Sequence, residues 1–85
     1  MKLTKGDYPA ASLGLREEGT VRIRYLVEID GSISECSVTR SSGKPNLDDA
    51  ACTLARKYWK FSPATQNGQP ITQYVESSVD FRVPG

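Results

Sequence analysis

Thr20-Val21-Arg22-Ile23-Arg24-Tyr25-Leu26-Val27-Glu28-Ile29-Asp30-Gly31 is the stretch on which the fold turns. Val21, Ile23, Tyr25, Val27 and Ile29 share one face; Arg22, Arg24, Leu26 and Glu28 share the other. A period of two marks a strand with one buried face, because successive side chains leave a strand on opposite sides. Asp30-Gly31 suits the positive φ angles of a two-residue type I′ turn, so a hairpin is expected there. The return strand runs over about Ser32 to Arg40, with Cys36 and Val38 as inward candidates. Ile33 is out of phase with them, which predicts a bulge or a loosely held edge.

Downstream of the hairpin, Ser41-Ser42-Gly43-Lys44-Pro45 has the composition of a loop. A helix follows, with Asn46 as its cap and Asp49 completing a capping-box-like arrangement. Asp48 and Asp49 put negative charge in its first turn, and Arg56, Lys57 and Lys60 put positive charge in its last, opposing the dipole at both ends. Leu47, Ala50, Ala51, Leu54, Ala55 and Tyr58 form the apolar stripe, and Pro63 forces an end near Trp59 to Lys60. Asn67-Gly68 is a turn, and Pro70 marks the start of a last strand over Ile71 to Val83. In that strand Val75, Val79, Phe81 and Val83 face inward, while Tyr74, Glu76, Ser78, Asp80 and Arg82 face outward. Ahead of the hairpin, Tyr8 to Leu13 reads as a short helical turn with Pro9 at its first position.

The element order is therefore α-β-β-α-β, an α+β fold in which helices cover one face of a three-stranded antiparallel sheet. The helix between strands 2 and 3 returns the chain, so those two run parallel. Strand 3 then pairs beside strand 1, giving the order 2-1-3 with a right-handed crossover. Arg22 and Arg24 on strand 1 face Glu76 and Asp80 on strand 3, and opposite charges on neighbouring strands support that register.

Bulk properties remove several function classes. Eighty-five residues make one small domain. A net charge of +1 supplies no field to gather nucleic acid, and the basic residues form no stripe interleaved with aromatics. With no histidine and no second pair of thiols, a zinc site has no ligand set, and no cofactor is expected. No serine or cysteine has a plausible activating partner, so an enzyme is the least favoured class. No apolar run is long enough to span a bilayer. Residues 1–6 read as a linker remnant from a longer chain, and residues 7–85 as the domain.

The cysteine count leaves buried thiols and a disulfide equally open. The inferred positions favour a Cys36–Cys52 bond, since Cys36 lies on the covered face of strand 2 and Cys52 lies mid-helix in the cover. Such a bond needs Cα atoms within about 7 Å, and closing the loop is worth about 3 kcal/mol. The last strand is the other unusual feature, because it is long and lies at an edge. It is either an ordinary edge blunted by Pro70, Glu76 and Asp80 or an unpaired ladder there to receive another strand.

Tyr8-Pro9-Ala10, Glu18-Gly19-Thr20-Val21-Arg22-Ile23 and Asp30-Gly31-Ser32-Ile33 resemble the C-terminal domain of the TonB family. So do Val38-Thr39-Arg40-Ser41-Ser42-Gly43, Leu47-Asp48-Asp49-Ala50-Ala51 and Gly68-Gln69-Pro70. Tyr58-Trp59-Lys60-Phe61-Ser62-Pro63-Ala64 is similar to that family's R-W-R-[FY]-x-P signature, and the likeness runs from Asp7 to Val83. The resemblance implies a periplasmic domain of an energy transducer, anchored in the inner membrane by an absent N-terminal helix and driven there by ExbB–ExbD. It implies that the TonB box of an outer-membrane receptor, importing siderophores or similar cargo, pairs with the last strand. Carried onto this chain, the partner-binding residues are Gln73, Tyr74, Val75, Glu76, Ser77, Ser78, Val79 and Asp80, with Tyr8 and Pro9 beside the bound box. Asp7 stands where the family often has glutamine, and Trp59 and Phe61 are expected as buried structural anchors. A TonB-like interaction or dimerisation module of another envelope protein is the alternative, and a homodimer through the last strand is a third reading.

Overall fold

The computed structural model describes residues 6–83. Most of the linker assigned to residues 1–6 therefore lies outside the described residues. Helix α1 (Ala10–Gly14) precedes strand β1 (Gly19–Val27) and strand β2 (Ile33–Arg40); helix α2 (Pro45–Tyr58) leads through short strands β3 (Ala64–Gln66) and β4 (Gln69–Ile71) to strand β5 (Gln73–Phe81). The main sheet has the expected order β2-β1-β5 with both pairings antiparallel; Glu76 meets Arg22 as expected, whereas Asp80 lies opposite Thr20.

The central strand carries the core. Val21, Ile23 and Tyr25 are fully buried, and Val27 nearly so. Leu47, Ala51, Leu54 and Ala55 of α2 pack onto them, joined by Val79 and Phe81 of β5. Small residues at 51 and 55 let the helix lie close to the sheet. Tyr8 closes one end of the core, its ring edge-on to Phe81 at 5.6 Å and its hydroxyl donating to the Glu17 carbonyl.

The hairpin between β1 and β2 is longer than a two-residue turn. Glu28 N–H donates to Ser32 O and Gly31 N–H to Glu28 O, which leaves Ile29, Asp30 and Gly31 as the loop. Gly31, at φ 85°, is the left-handed residue that ends such a three-residue connection. Ile29 therefore leaves the inward row and is 59% exposed, contrary to its place in the alternation. On β2, the registers Arg24↔Ser37 and Leu26↔Ser34 set two residues, Glu35 and Cys36, against Tyr25 alone. Glu35 takes φ 47°, and this bulge brings Ile33 and Cys36 to the same side, resolving the phase conflict. Val38 pairs with Ile23 but is 40% exposed, so the inward position expected for it is not sealed.

Other boundaries moved for local reasons. The α2 cap is Lys44 in extended conformation with Pro45 opening the helix, so the Asn46–Asp49 capping box does not form. Asp48 reaches back instead, accepting from Ser42 N–H at 2.9 Å, Ser42 Oγ at 2.8 Å and Ser41 Oγ. The last strand is shorter than the expected Ile71–Val83. Asn67 (φ 52°) and Gly68 (φ 79°) form a type I′ turn, which folds Gln69–Ile71 back on Ala64–Gln66 as a separate hairpin.

Cys36 and Cys52 are joined, with Cα atoms 5.8 Å apart, tying edge strand β2 to α2. With so few core residues, a loss of about 3 kcal/mol on reduction is a large share of the expected stability. Urea melts with and without reductant should show a difference of that order. A change below about 0.5 kcal/mol, the scatter of ordinary surface substitutions, would mean that the bridge constrains little.

Candidate functional site

The two outer strands of the sheet end it in different ways. Strand β2 breaks register twice, between Arg22 and Ile23 and between Arg24 and Leu26, and is held by the disulfide. Bulges of this kind blunt an edge against further pairing. Strand β5 pairs with β1 from Phe81 opposite Gly19 to Gln73 opposite Val27, without a shift. Its other flank pairs with no strand among the described residues. Such a run leaves an even row of outward N–H and C=O groups.

Side chains on the helix-free face hold this ladder straight. Arg22 Nε bonds Glu76 Oε1 at 2.6 Å, and Thr39 Oγ1 donates to the same oxygen at 3.0 Å. These bonds, Arg22's first, keep the Glu76 carboxyl below the ordinary carboxylate range. Arg22 Nη1 also donates to Ser78 Oγ at 3.3 Å. The Arg24 guanidinium sits 3.9 Å from the Tyr74 ring centroid, while the Tyr74 hydroxyl donates to Glu35 at 2.9 Å, which raises its pKa. Asp80 accepts from the Thr20 hydroxyl. All of these groups are exposed, so each contact adds only tenths of a kcal/mol and acts mainly on register.

Of the residues expected at the site, Gln73, Tyr74, Glu76, Ser78 and Asp80 are exposed along the ladder. Val75 and Ser77 are half-buried on the covered side, and Val79 is sealed in the core at 1% exposure. Only the main chain of Val79 is available to a partner. Pro9 is half-buried, but Tyr8 is 4% exposed and is a core residue, near β5 only through Phe81.

A groove of about 420 Å³ runs on the covered side of β5, lined by Tyr25, Tyr58, Trp59, Lys60, Phe61, Ser77 and Ser78. Three rings pack together there: fully buried Tyr25 stacks with Phe61 at 5.6 Å and meets Trp59 edge-on at 5.7 Å, and Trp59 and Phe61 lie 6.2 Å apart at 89°. The Tyr25 hydroxyl and Ser77 Oγ satisfy one another at 2.8 Å, so the buried phenol is not left unpaired. Trp59 and Phe61 are only half-buried, so the expectation of buried anchors is corrected: they are groove walls as well as packing. No periodicity could show this, because segment 59–62 belongs to no regular element. Phe61 N–H donates to Gly31 O at 3.1 Å, which docks the segment on the hairpin loop.

A family model described as Gram-negative bacterial TonB protein C-terminal matches residues 4–83. Protein tonB2 of Pseudomonas aeruginosa is 39% identical over 77 residues, covering 91% of this chain and 28% of its own length. Protein TonB of Xanthomonas campestris is 38% identical over 74 residues, covering 87% of this chain and 33% of its own. The chain thus spans a third or less of these curated relatives. The solution NMR structure of the Pseudomonas aeruginosa TonB CTD superposes with a TM-score of 0.72 at 22% identity, covering 92% of this chain and 78% of that one, a likeness of fold.

Gly31 should be the sensitive point of the groove. A β-carbon there would collide with the Phe61 carbonyl oxygen, at a φ that L side chains avoid. Gly31→Ala should cost about 1–3 kcal/mol and red-shift Trp59 fluorescence as the segment lifts. An unchanged melt and spectrum would show that the loop does not position the groove.

Proposed function

The chain belongs to the Gram-negative bacterial TonB C-terminal family, and we propose that it is the receptor-grasping end of a periplasmic energy transducer. In this reading an outer-membrane receptor offers its TonB box as an extended segment, which adds to the free flank of β5 over Gln73 to Asp80. The remainder of the transducer, anchored in the inner membrane and coupled to ExbB–ExbD, then pulls on that junction to drive import of siderophores or similar cargo. The domain binds and transmits load, and itself catalyses nothing. The observation that carries the reading is the contrast between the edges: β2 is bulged twice, whereas β5 keeps an unshifted register over its nine residues.

Magnitudes explain why ladder and groove belong together. A main-chain hydrogen bond nets only about 0.5–1.5 kcal/mol in water. Association costs at least several kcal/mol of lost freedom before any gain appears. A short ladder alone would therefore bind weakly, while tolerating many sequences. One aliphatic side chain buried against Trp59 and Phe61 adds about 1.5–3 kcal/mol. Lys60, at the groove wall, has no carboxylate of the described residues within ion-pairing distance and favours an acidic neighbour on the peptide.

Two proline variants separate folding from binding. Successive N–H groups of a strand point to opposite flanks, so Ser77→Pro and Ser78→Pro strike opposite sides of β5. The variant that loses a bond to β1 should lose about 3 kcal/mol or more of stability. The other should melt near the parent and lose binding of a synthetic TonB-box peptide, measured by calorimetry. A folded proline variant that binds undiminished would contradict strand addition at this flank.

A further inference from the structure

The lead-in to α1, residues 6–9, and the groove share one side chain. Tyr58 is the last residue of α2, is 43% exposed, and lines the groove beside β5. Its hydroxyl donates to Asp7 Oδ1, and Lys57 Nζ lies 3.2 Å from the same oxygen. The Lys57 ammonium also sits 5.0 Å from the Tyr58 ring centroid, so the three side chains interlock. The Asp7 side chain is only 5% exposed, and the next residue, Tyr8, is fixed in the core against Phe81. The acceptor that holds the tyrosine is therefore itself held.

An exposed tyrosine at a helix end would otherwise sample several rotamers, and a partner would have to freeze one of them on binding. A charge-assisted hydrogen bond to a fixed carboxylate removes that freedom beforehand. Resting on the reading of β5 as the partner edge, we propose that Asp7 is a positioning residue for the groove: through Tyr58 it sets the wall against which the incoming peptide packs, so that docking of the lead-in and occupancy of the groove favour one another. Asp7 need not touch the partner to do this. Linkage is reciprocal: whatever Asp7 adds to peptide affinity, bound peptide adds to the docking of the lead-in. Tension arriving along the lead-in reaches the Asp7–Tyr58 contact before it reaches the sheet, and loss of that contact loosens the wall of the occupied groove.

The test is a mutant cycle on the whole chain with a synthetic TonB-box peptide as probe. Asp7→Ala and Tyr58→Phe should each weaken binding about fivefold. The double variant should be no weaker than either single one, because both remove the same contact. Asp7→Asn, which keeps an oxygen acceptor, should recover part of the loss. Without peptide, side-chain couplings of Tyr58 measured by NMR should show one rotamer in the parent and averaging in Asp7→Ala. Losses that add in the double variant, or unchanged affinity and a still-ordered Tyr58 in a folded Asp7→Ala, would overturn the positioning role. A parent that does not bind the peptide at all, with Tyr58 ordered by Asp7 as expected, would instead sink the reading of β5 and leave the contact without its partner.

Discussion

Everything in this domain leans on β1. Among the described residues it is the one strand with both flanks paired, and its inward row of Val21, Ile23, Tyr25 and Val27 is the floor of the core. A three-stranded sheet with a buried centre must have two outer strands, and each must answer for an unpaired row of backbone groups. The two answers differ here, and the difference gives the domain a direction. Strand β2 is bulged at Glu35 and Thr39 and tied to α2 by Cys36–Cys52, so it is closed as a template. Strand β5 is regular over its whole length, and its outward side chains are braced by Arg22 and Arg24 from the centre.

The same arrangement separates the sealed part of the domain from the part left open. Buried contacts between β1, α2 and the far end of β5, where Val79 and Phe81 lie, supply the stability. Toward its start β5 is less sealed: Val75 and Ser77 are half-buried, and the rings of Trp59 and Phe61 stand beside them as a partly open wall. Segment 59–62 has no helix or strand to fix it and is placed by the Phe61–Gly31 hydrogen bond and by stacking on Tyr25. Gly31 therefore serves twice, ending the hairpin with its positive φ and making room for the Phe61 carbonyl.

Much of this was legible in the residues, and the failures have physical causes. Period-two patterns at Val21–Val27 and Val75–Phe81, with facing charges, carried the strand order, since burial on one face leaves no freedom of register. Ile29 misled because alternation does not say where a chain turns; the three-residue loop ends the strand before it. The phase conflict at Ile33 did signal the bulge, although only the backbone could place it at Glu35. The cap of α2 was misread because Pro45 pre-sets the first turn and leaves Asp48, rather than Asp49, to satisfy the serine loop. The β3–β4 hairpin was invisible beyond its Asn67-Gly68 turn, for its three-residue arms are too short and polar to show a period. The groove went unseen for a related reason: Trp59 and Phe61 look like core in any list of residues, and their half-exposure follows from an irregular segment lying beside an edge.

The central claim is that β5 presents a free backbone ladder to another chain, and amide hydrogen exchange tests it most directly. With saturating TonB-box peptide, alternate amides between Gln73 and Phe81 should slow while those of Ile33–Arg40 keep their rates. Protection gathered on Ile33–Arg40, or on neither strand while the peptide is bound, would contradict it.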